Sequence, residues 1–124
     1  MEPITEGLVA VVQKACPTCQ LVEPVLRTLA DSVKGIIVCT QDDPSFPNDF
    51  VTAVDDTELV HSFSLNIEVV PTLVQFKEGA EVGRVVGWNR KEWEELTGVS
   101  HLGAGLPENQ PGCGSKTLEP GMNE

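Results

Sequence analysis

A chain of 124 residues suits one domain, because independent domains typically contain about 100–150 residues. Its 19 Asp and Glu residues outnumber its 8 Lys and Arg residues, and the net charge of −11 disfavours nucleic acid and anionic membranes as partners. No apolar run reaches the roughly 18–20 residues that cross a bilayer, and the N-terminal residues are acidic, unlike those of a signal peptide. We therefore expect a cytoplasmic protein.

The first part of the chain predicts a strand, a helix and a second strand. Residues 8–12 and 35–39 are short, continuous apolar runs, as expected of strands that are buried on both faces. Between these runs, apolar residues recur with the spacing of one helical face: Leu21, Val22, Val25, Leu26 and Leu29. A right-handed crossover through this helix would make the two strands parallel.

The middle of the chain predicts a second helix followed by a hairpin. Asp55 or Asp56 can serve as the N-cap of a helix that ends near Asn66. The predicted apolar side of this helix consists of Leu59, Val60 and Phe63. The apolar runs 72–76 and 82–86 then flank a short turn, which indicates an antiparallel hairpin.

A third helix is predicted to close the domain. Asn89 and Glu92 have the spacing of a capping box, and Gly98 is placed to end the helix. Beyond this point Gly and Pro dominate and no apolar periodicity remains. We therefore predict a domain over residues 1–98, with the order β-α-β-α-β-β-α, and a flexible tail or linker over residues 99–124.

Four residues at the start of the first helix carry the candidate chemistry: Cys16, Pro17, Thr18 and Cys19. A helix N-terminus offers unpaired N–H groups and the positive end of the helix dipole, and both favour a thiolate over a thiol. Cys16 is the first of the pair and lies at the loop edge, so it can react with a partner. Cys19, one turn further along, is shielded and placed to attack a mixed disulfide on Cys16. Pro17 suits the first turn, where the N–H that it lacks would have no partner.

The Cys-X-X-Cys motif alone leaves other interpretations open. It is also typical of half a zinc site, or of two buried thiols that pack as small apolar groups. Its position between a strand and a helix favours a redox pair. A site for zinc or another soft metal would need Cys39 or Cys113 as a further ligand, because His61 and His101 are too scattered to form a metal site.

Five motifs resemble those of the thioredoxin superfamily, over about residues 6–98. They are Cys16–Cys19 in place of the family's Cys-Gly-Pro-Cys, Pro24 at its helix-kinking proline, Val70–Thr72 at its cis-proline loop, Gly79 in its hairpin turn, and Gly87 before its last helix. The resemblance implies an α/β fold, a three-layer α/β/α sandwich with a central mixed sheet. In that fold the Cys-X-X-Cys motif faces a cis-proline.

The resemblance also implies a thiol–disulfide oxidoreductase or electron-relay domain. Cys16 would attack partner disulfides and Cys19 would resolve them, with no metal or organic cofactor. Val70, Pro71 and Thr72 would bind the substrate, because a cis Pro71 leaves the backbone of Val70 exposed for an incoming peptide to pair as an added strand. Protein or small-molecule disulfides and an upstream reductant would be the partners, and we expect a monomer.

Several departures from the family pattern limit this interpretation. Ala10 stands in place of the family's buried acid and Cys39 in place of its lysine, so proton transfer must use water or another group. These losses keep open a non-catalytic interaction module with the same fold. We expect Cys39 to be a protonated packing residue beneath the active site.

Compared with the family that it resembles, the chain has a shortened N-terminus and a longer, acidic loop before the second helix, Thr40–Thr57. The loop is either a partner-selecting surface or a solvated insertion, and we prefer the insertion. Cys113 is either a free thiol or the start of a following domain.

Overall fold

The computed structural model describes residues 7–32, 36–43, 45–46, 53–115 and 117. The predictions made for the N-terminal residues, for part of the acidic loop and for the end of the tail lie outside these ranges. The strands are β1 (Gly7–Val12), β2 (Ile37–Thr40), β3 (Ala53–Asp55), β4 (Val69–Val70), β5 (Thr72–Lys77), β6 (Ala80–Val86), β7 (Trp88–Asn89), β8 (Asn109–Gln110) and β9 (Cys113–Gly114). The helices are α1 (Pro17–Ser32), α2 (Val60–Ser64) and α3 (Arg90–Thr97). None of the described helices has the length and apolar character that crossing a membrane requires.

Five of the strands form one mixed sheet, in the order β3-β2-β1-β5-β6. β1 is parallel to β2, with Val11 opposite Cys39, and antiparallel to β5, with Val11 opposite Thr72. β3 extends the parallel side of the sheet and β6 extends its antiparallel side. The predicted α/β fold with a central mixed sheet is confirmed.

β1 lies at the centre of the hydrophobic core. Its residues Leu8–Val12 are at most 1% exposed, as the continuous apolar run predicts. The apolar face of α1 enters the same core through Val22, Val25, Leu26 and Leu29. Each buried aliphatic side chain of this size contributes roughly 1.5–3 kcal/mol to folding. The strand and helix that flank the Cys-X-X-Cys turn are therefore held firmly.

The acidic loop contains a strand that the sequence analysis did not predict. Residues Ala53–Asp55 pair in parallel with β2, and Val54 lies opposite Cys39. Three residues are too few to show an alternating pattern, and their pairing depends on a strand that is distant in sequence. β3 covers a backbone edge of β2 that would otherwise be open to another chain.

The second helix is shorter than predicted and buries a different residue. α2 covers only Val60–Ser64, and the side chains of Val60 and Phe63, predicted to lie on its apolar side, are 62% and 45% exposed. Leu59 is fully buried, but it precedes the helix with a left-handed φ of 64°. A helix of five residues cannot present a continuous apolar face, and the bend before it directs Leu59 alone into the interior.

The hairpin and the third helix follow the predictions. β5 and β6 meet at Glu78 and Gly79, whose φ values of 53° and 82° are left-handed, a conformation that glycine adopts without strain. The Asn89 side chain accepts a hydrogen bond from the backbone N–H of Glu92 at 3.0 Å, and Gly98 ends α3 with a φ of 74°. These features depend on neighbours within a few residues, so the sequence pattern was sufficient.

Residues 99–115 lie against the domain, although their composition predicts a flexible tail or linker. Strand β8 pairs with β7, and β9 pairs with β4. Leu102 is fully buried, and the Arg90 guanidinium donates hydrogen bonds to the carbonyls of Leu102 and Gly103. Such contacts use backbone groups and single side chains, which leave no periodic pattern in a sequence. The domain boundary at residue 98 stays a prediction.

Candidate active site

Cys16 lies at the end of the turn that joins β1 to α1. Helix α1 begins at the next residue, so Cys16 borders the helix N-terminus. The Cys16 N–H donates a hydrogen bond to the Gln13 carbonyl at 3.2 Å, and the Cys16 carbonyl accepts one from the Gln20 N–H at 3.1 Å. The backbone of Cys16 is thereby fixed on both sides.

The start of the acidic loop supports this turn. The Asp42 carboxylate accepts hydrogen bonds from the backbone N–H groups of Lys14 and Ala15, at 2.7 and 3.0 Å. Hydrogen bonds from the Ser45 hydroxyl and N–H, followed by the Lys14 ammonium, lower the pKa of Asp43 to about 2. The sequence analysis missed this role of the loop. The sequence did contain a signal for this role. The predicted strands β1 and β2 are parallel and end at the same edge of the sheet, which brings the residues after each strand together.

Cys19 lies one turn inside α1 and is fully buried. The backbone N–H of Gln13 donates a hydrogen bond to its sulfur at 3.3 Å. Burial raises the pKa of the Cys19 thiol well above its usual range; the Gln13 hydrogen bond opposes this rise, and charge on Cys16 adds to it. Cys19 is therefore protonated at neutral pH when the site is reduced.

Cys16 is only 1% exposed, whereas its place at the loop edge predicts direct access for a partner. Its thiol contacts the carbonyl of Val70, with 3.6 Å between sulfur and oxygen. The Val70–Pro71 peptide bond is cis, and Thr72 begins β5 immediately afterwards. The structure therefore brings Cys16 beside the backbone of the predicted substrate platform (Val70, Pro71 and Thr72).

The chain's own C-terminal segment (residues 99–115) covers this platform with its strand β9. Strand β9 pairs antiparallel with β4, which places Cys113 opposite Val70. The Thr18 hydroxyl donates a hydrogen bond to the Pro111 carbonyl at 2.7 Å, which ties the segment to the start of α1. Residues 111–114 thus fill the place that the sequence analysis assigned to an incoming peptide, and they explain the burial of Cys16.

Three thiols meet at the site. Cys113 lies near enough to the other two for charge on Cys16 to act on it, and for charge on Cys113 to act on Cys19. Burial raises the pKa of Cys113, Cys16 raises it further, and the backbone N–H of Thr18 lowers it. All four cysteines of the chain are free thiols. The available signal for Cys113 was its Pro-Gly-Cys-Gly sequence, in which small neighbours allow close approach of a backbone.

Cys39 is fully buried on β2. Burial, and secondarily the charge of Asp56, raise the pKa of Cys39 to about 12. The thiol is therefore protonated at neutral pH, as expected of a packing residue.

A buried polar network connects Asp56 to the active-site turn, and the sequence analysis did not find it. The Asp56 carboxylate accepts a hydrogen bond from the Ser62 hydroxyl at 2.7 Å, and Ser62 accepts one from the Gln41 amide at 2.8 Å. The side-chain oxygen of Gln41 accepts a hydrogen bond from the side-chain amide of Gln13 at 2.8 Å. The same Gln13 side chain donates to the backbone carbonyl of Gly114 at 3.0 Å. The C-terminal segment is therefore part of the network behind the active site.

The described residues contain no group of three or more His, Cys, Asp or Glu side chains arranged to hold a metal ion. His61 lies within α2, and His101 is exposed near the start of the C-terminal segment. The soft-metal interpretation therefore has no ligand set in this part of the chain.

Known proteins with similar sequences are thioredoxins. The chain is 31% identical to thioredoxin H-type 1 of Nicotiana tabacum over 86 residues, which cover 69% of the chain and 58% of that protein. It is 33% identical to thioredoxin H10 of Arabidopsis thaliana over 86 residues, which cover 68% of the chain and 47% of that protein. The chain thus spans about half the length of the curated relatives that it matches. No protein-family model matches it.

Solved structures with a similar fold are also thioredoxins. Reduced thioredoxin of Schistosoma mansoni superposes with a TM-score of 0.53 at 23% identity, covering 73% of this chain and 74% of that one. Oxidised thioredoxin O1 of Arabidopsis thaliana gives 0.52 at 22% identity, covering 76% of each chain. The chain therefore has the fold of the thioredoxin superfamily.

Proposed function

We propose that this chain, which has a thioredoxin-superfamily fold, is a thiol–disulfide oxidoreductase in which Cys16 attacks a partner's disulfide and Cys19 resolves the intermediate. One observation carries the proposal: the Cys16 thiol lies at the N-terminus of α1 against the Val70 carbonyl, beside the strand edge where a peptide can pair. Cys19 is one helical turn away, with a backbone N–H directed at its sulfur. This arrangement supports the proposal of consecutive exchange reactions at the two sulfurs.

The reaction proceeds in two displacements. The Cys16 thiolate attacks one sulfur of the partner's disulfide, which forms a Cys16–partner bond and releases the partner's other sulfur as a thiolate that takes a proton. Cys19 then loses its proton and attacks the Cys16 sulfur, which forms the Cys16–Cys19 disulfide and releases the partner as a dithiol. An upstream dithiol must return the two electrons before the next cycle.

The second displacement is the demanding one, because Cys19 is buried and protonated. The Gln13 N–H stabilises the thiolate as it forms. Ala10 stands where the family has its acid, so water admitted when the C-terminal segment moves is the proton acceptor that we propose.

The substrate that the platform suits is a disulfide in an extended peptide segment. The backbone of β4 accepts an antiparallel strand, as its pairing with β9 demonstrates. The exchange needs no metal or organic cofactor, because both electrons reside in the two cysteine sulfurs. We further propose that the chain works as a monomer in the cytoplasm, where free thiols persist.

The test is reduction of insulin disulfides by the full chain, with dithiothreitol as the electron source. Cys16→Ser is expected to lower the rate to the background of dithiothreitol alone, and Cys39→Ser, which changes a thiol outside the mechanism, is expected to retain most of it. Cys19→Ser combined with Cys113→Ser should trap a covalent Cys16–insulin adduct. No activity in the wild type would refute the proposal in favour of a non-catalytic interaction module, and wild-type rates in Cys16→Ser would show that another group carries the exchange.

A further inference from the structure

The C-terminal segment is bound to the platform in the way that a peptide substrate would be. β9 runs antiparallel to β4, with Cys113 opposite Val70, and the backbone N–H of Ser115 continues the pairing by donating to the Glu68 carbonyl at 3.0 Å. Strand addition of this kind gives affinity through the backbone and places alternate side chains on one face. The residue opposite Val70 is therefore the one brought to Cys16, and in this chain it is a cysteine.

Contacts on both sides of Cys113 fix the register of the segment. Before it, the Gln110 amide donates to the Thr18 hydroxyl at 3.0 Å, and the Thr18 hydroxyl donates to the Pro111 carbonyl. After it, the buried Ser115 hydroxyl accepts from the Gln41 amide at 2.8 Å, and the Thr117 hydroxyl donates to the Ile67 carbonyl at 2.7 Å. A slip of one residue would break these bonds together and leave buried polar groups unpaired, at a cost of about 1–3 kcal/mol each.

Gly112 adds a steric condition to this binding. A Cβ atom at residue 112 would lie 2.3 Å from the Val70 carbonyl oxygen and 2.6 Å from a Val69 methyl group, so only glycine allows the two backbones to approach. A Cβ atom at Gly114, on the other side of Cys113, would meet no atom within 4 Å. The pair provides a blocking substitution and a matched control within the same strand.

From this arrangement we infer that Cys113 is a third redox-active residue of the site, which exchanges with the Cys16–Cys19 disulfide. The inference rests on the proposed function. The Cys113 sulfur attacks the Cys16 sulfur, the Cys16–Cys19 bond breaks, and a Cys16–Cys113 bond forms. The proton lost by Cys113 is taken up by the released Cys19, so the step is an isomerisation that requires no further oxidant.

The exchange gives the domain an internal substrate. In the Cys16–Cys113 form the platform is closed covalently by the segment, and Cys19 is a free thiol poised to reverse the step. A partner disulfide reaches Cys16 only when the segment has left the platform. While the segment is docked, Cys113 lies opposite Val70, whose carbonyl the Cys16 thiol contacts.

The test uses the full chain with Cys19→Ser and Cys39→Ser, reduced and then treated with glutathione disulfide. Cys16 first forms a mixed disulfide with glutathione, and we expect Cys113 to displace the glutathione. The final product is then a chain two hydrogen atoms lighter than the reduced form, with a Cys16–Cys113 bond in its peptide map. Adding Cys113→Ser should leave one glutathione on Cys16.

The glycine pair decides whether docking causes the exchange. Gly112→Ala in the same background should slow glutathione release at least about tenfold, because the effective concentration of Cys113 at Cys16 falls when the segment no longer binds. Gly114→Ala should leave the rate unchanged. Persistent glutathione on Cys16 with Cys113 free, or equal rates for the two glycine variants, would overturn the inference.

A separate measurement distinguishes this inference from the proposed function. The chain with Cys113→Ser alone, equilibrated in glutathione buffer, should form the Cys16–Cys19 disulfide. If this disulfide forms but the Cys16–Cys113 bond does not, only the role of Cys113 is wrong. If neither forms, the proposed oxidoreductase function fails as well.

Discussion

The backbone N–H of Gln13 donates a hydrogen bond to the sulfur of Cys19, with 3.3 Å between nitrogen and sulfur. This hydrogen bond opposes the effect of burial on that thiol, and burial prevails, so the pKa of Cys19 is raised. In the resolving role that we propose for it, Cys19 reacts only in the small fraction of molecules in which it is ionised.

The first prediction is that resolution of the mixed disulfide accelerates with pH. Because the pKa of Cys19 lies well above neutrality, its thiolate fraction should rise about tenfold for each pH unit across roughly pH 6.5–8.5. The measurement is the release of glutathione from Cys16 in a chain with Cys39→Ser and Cys113→Ser, so that only Cys19 can displace it. A rate that is flat over this range would show that the thiol ionises near or below neutral pH, against the assignment.

The second prediction concerns stability at high pH. Cys39 has a pKa of about 12 in the fold against 9.0 for an exposed thiol, so above pH 9 the unfolded chain loses a proton that the folded chain keeps. The stabilising contribution is complete below pH 9 and is lost as the pH rises from there towards 12. Each pH unit in this interval should lower the free energy of unfolding by about 1.4 kcal/mol for this one group.

Urea unfolding under reducing conditions, compared between the wild type and Cys39→Ala, isolates this contribution. The variant should be less stable at pH 8, because it lacks buried packing, but its stability should fall less steeply above pH 9. The difference in slope should correspond to about one proton. Parallel curves for the two proteins would contradict the burial of an intact thiol at this position.

The third prediction is that Asp42 positions the active-site turn. Asp42→Ala removes the acceptor for the N–H groups of Lys14 and Ala15, and should cost about 1–3 kcal/mol of stability and slow insulin reduction severalfold. Asp43→Ala, the matched control, removes the exposed ion pair with Lys14 and the exposed hydrogen bonds from Ser45, and should have a smaller effect on both quantities. Equal effects of the two substitutions would show that the acidity of the loop, and not the hydrogen bonds of Asp42, supports the turn.

How far the sequence predicted the molecule depends on the range of each interaction. The run Leu8–Val12, the Asn89 cap and the turn at Gly79 were predicted because their signals come from neighbours or from simple burial. Strand β3 was missed because three residues acquire their structure only from β2. Val60 was assigned to the wrong environment because a five-residue helix depends on the bend before it.

The candidate site shows the same division. The Cys16–Cys19 turn and the cis peptide bond before Pro71 follow from motifs with fixed spacing. The burial of Cys16 does not, because it results from a segment almost one hundred residues away that binds through backbone hydrogen bonds and a close glycine contact. A composition rich in Gly and Pro predicts weak local structure, and it says nothing about pairing with a strand that is already in place.

The last prediction is that the C-terminal segment competes with substrates. If the segment occupies the platform in about 90–99% of molecules, the apparent KM for a peptide disulfide is raised roughly 10–100-fold above that of the open site. Gly112→Ala, whose Cβ would collide with the Val70 carbonyl, should therefore lower the KM by a factor in this range, while Gly114→Ala leaves it unchanged. Insulin reduction as a function of insulin concentration separates KM from kcat, and kcat should be nearly the same in all three proteins because Cys16 and Cys19 are untouched.

Circular dichroism and urea unfolding of both variants check that the domain remains folded. An unchanged or higher KM for a folded Gly112→Ala chain would mean that the segment does not exclude substrates from the platform.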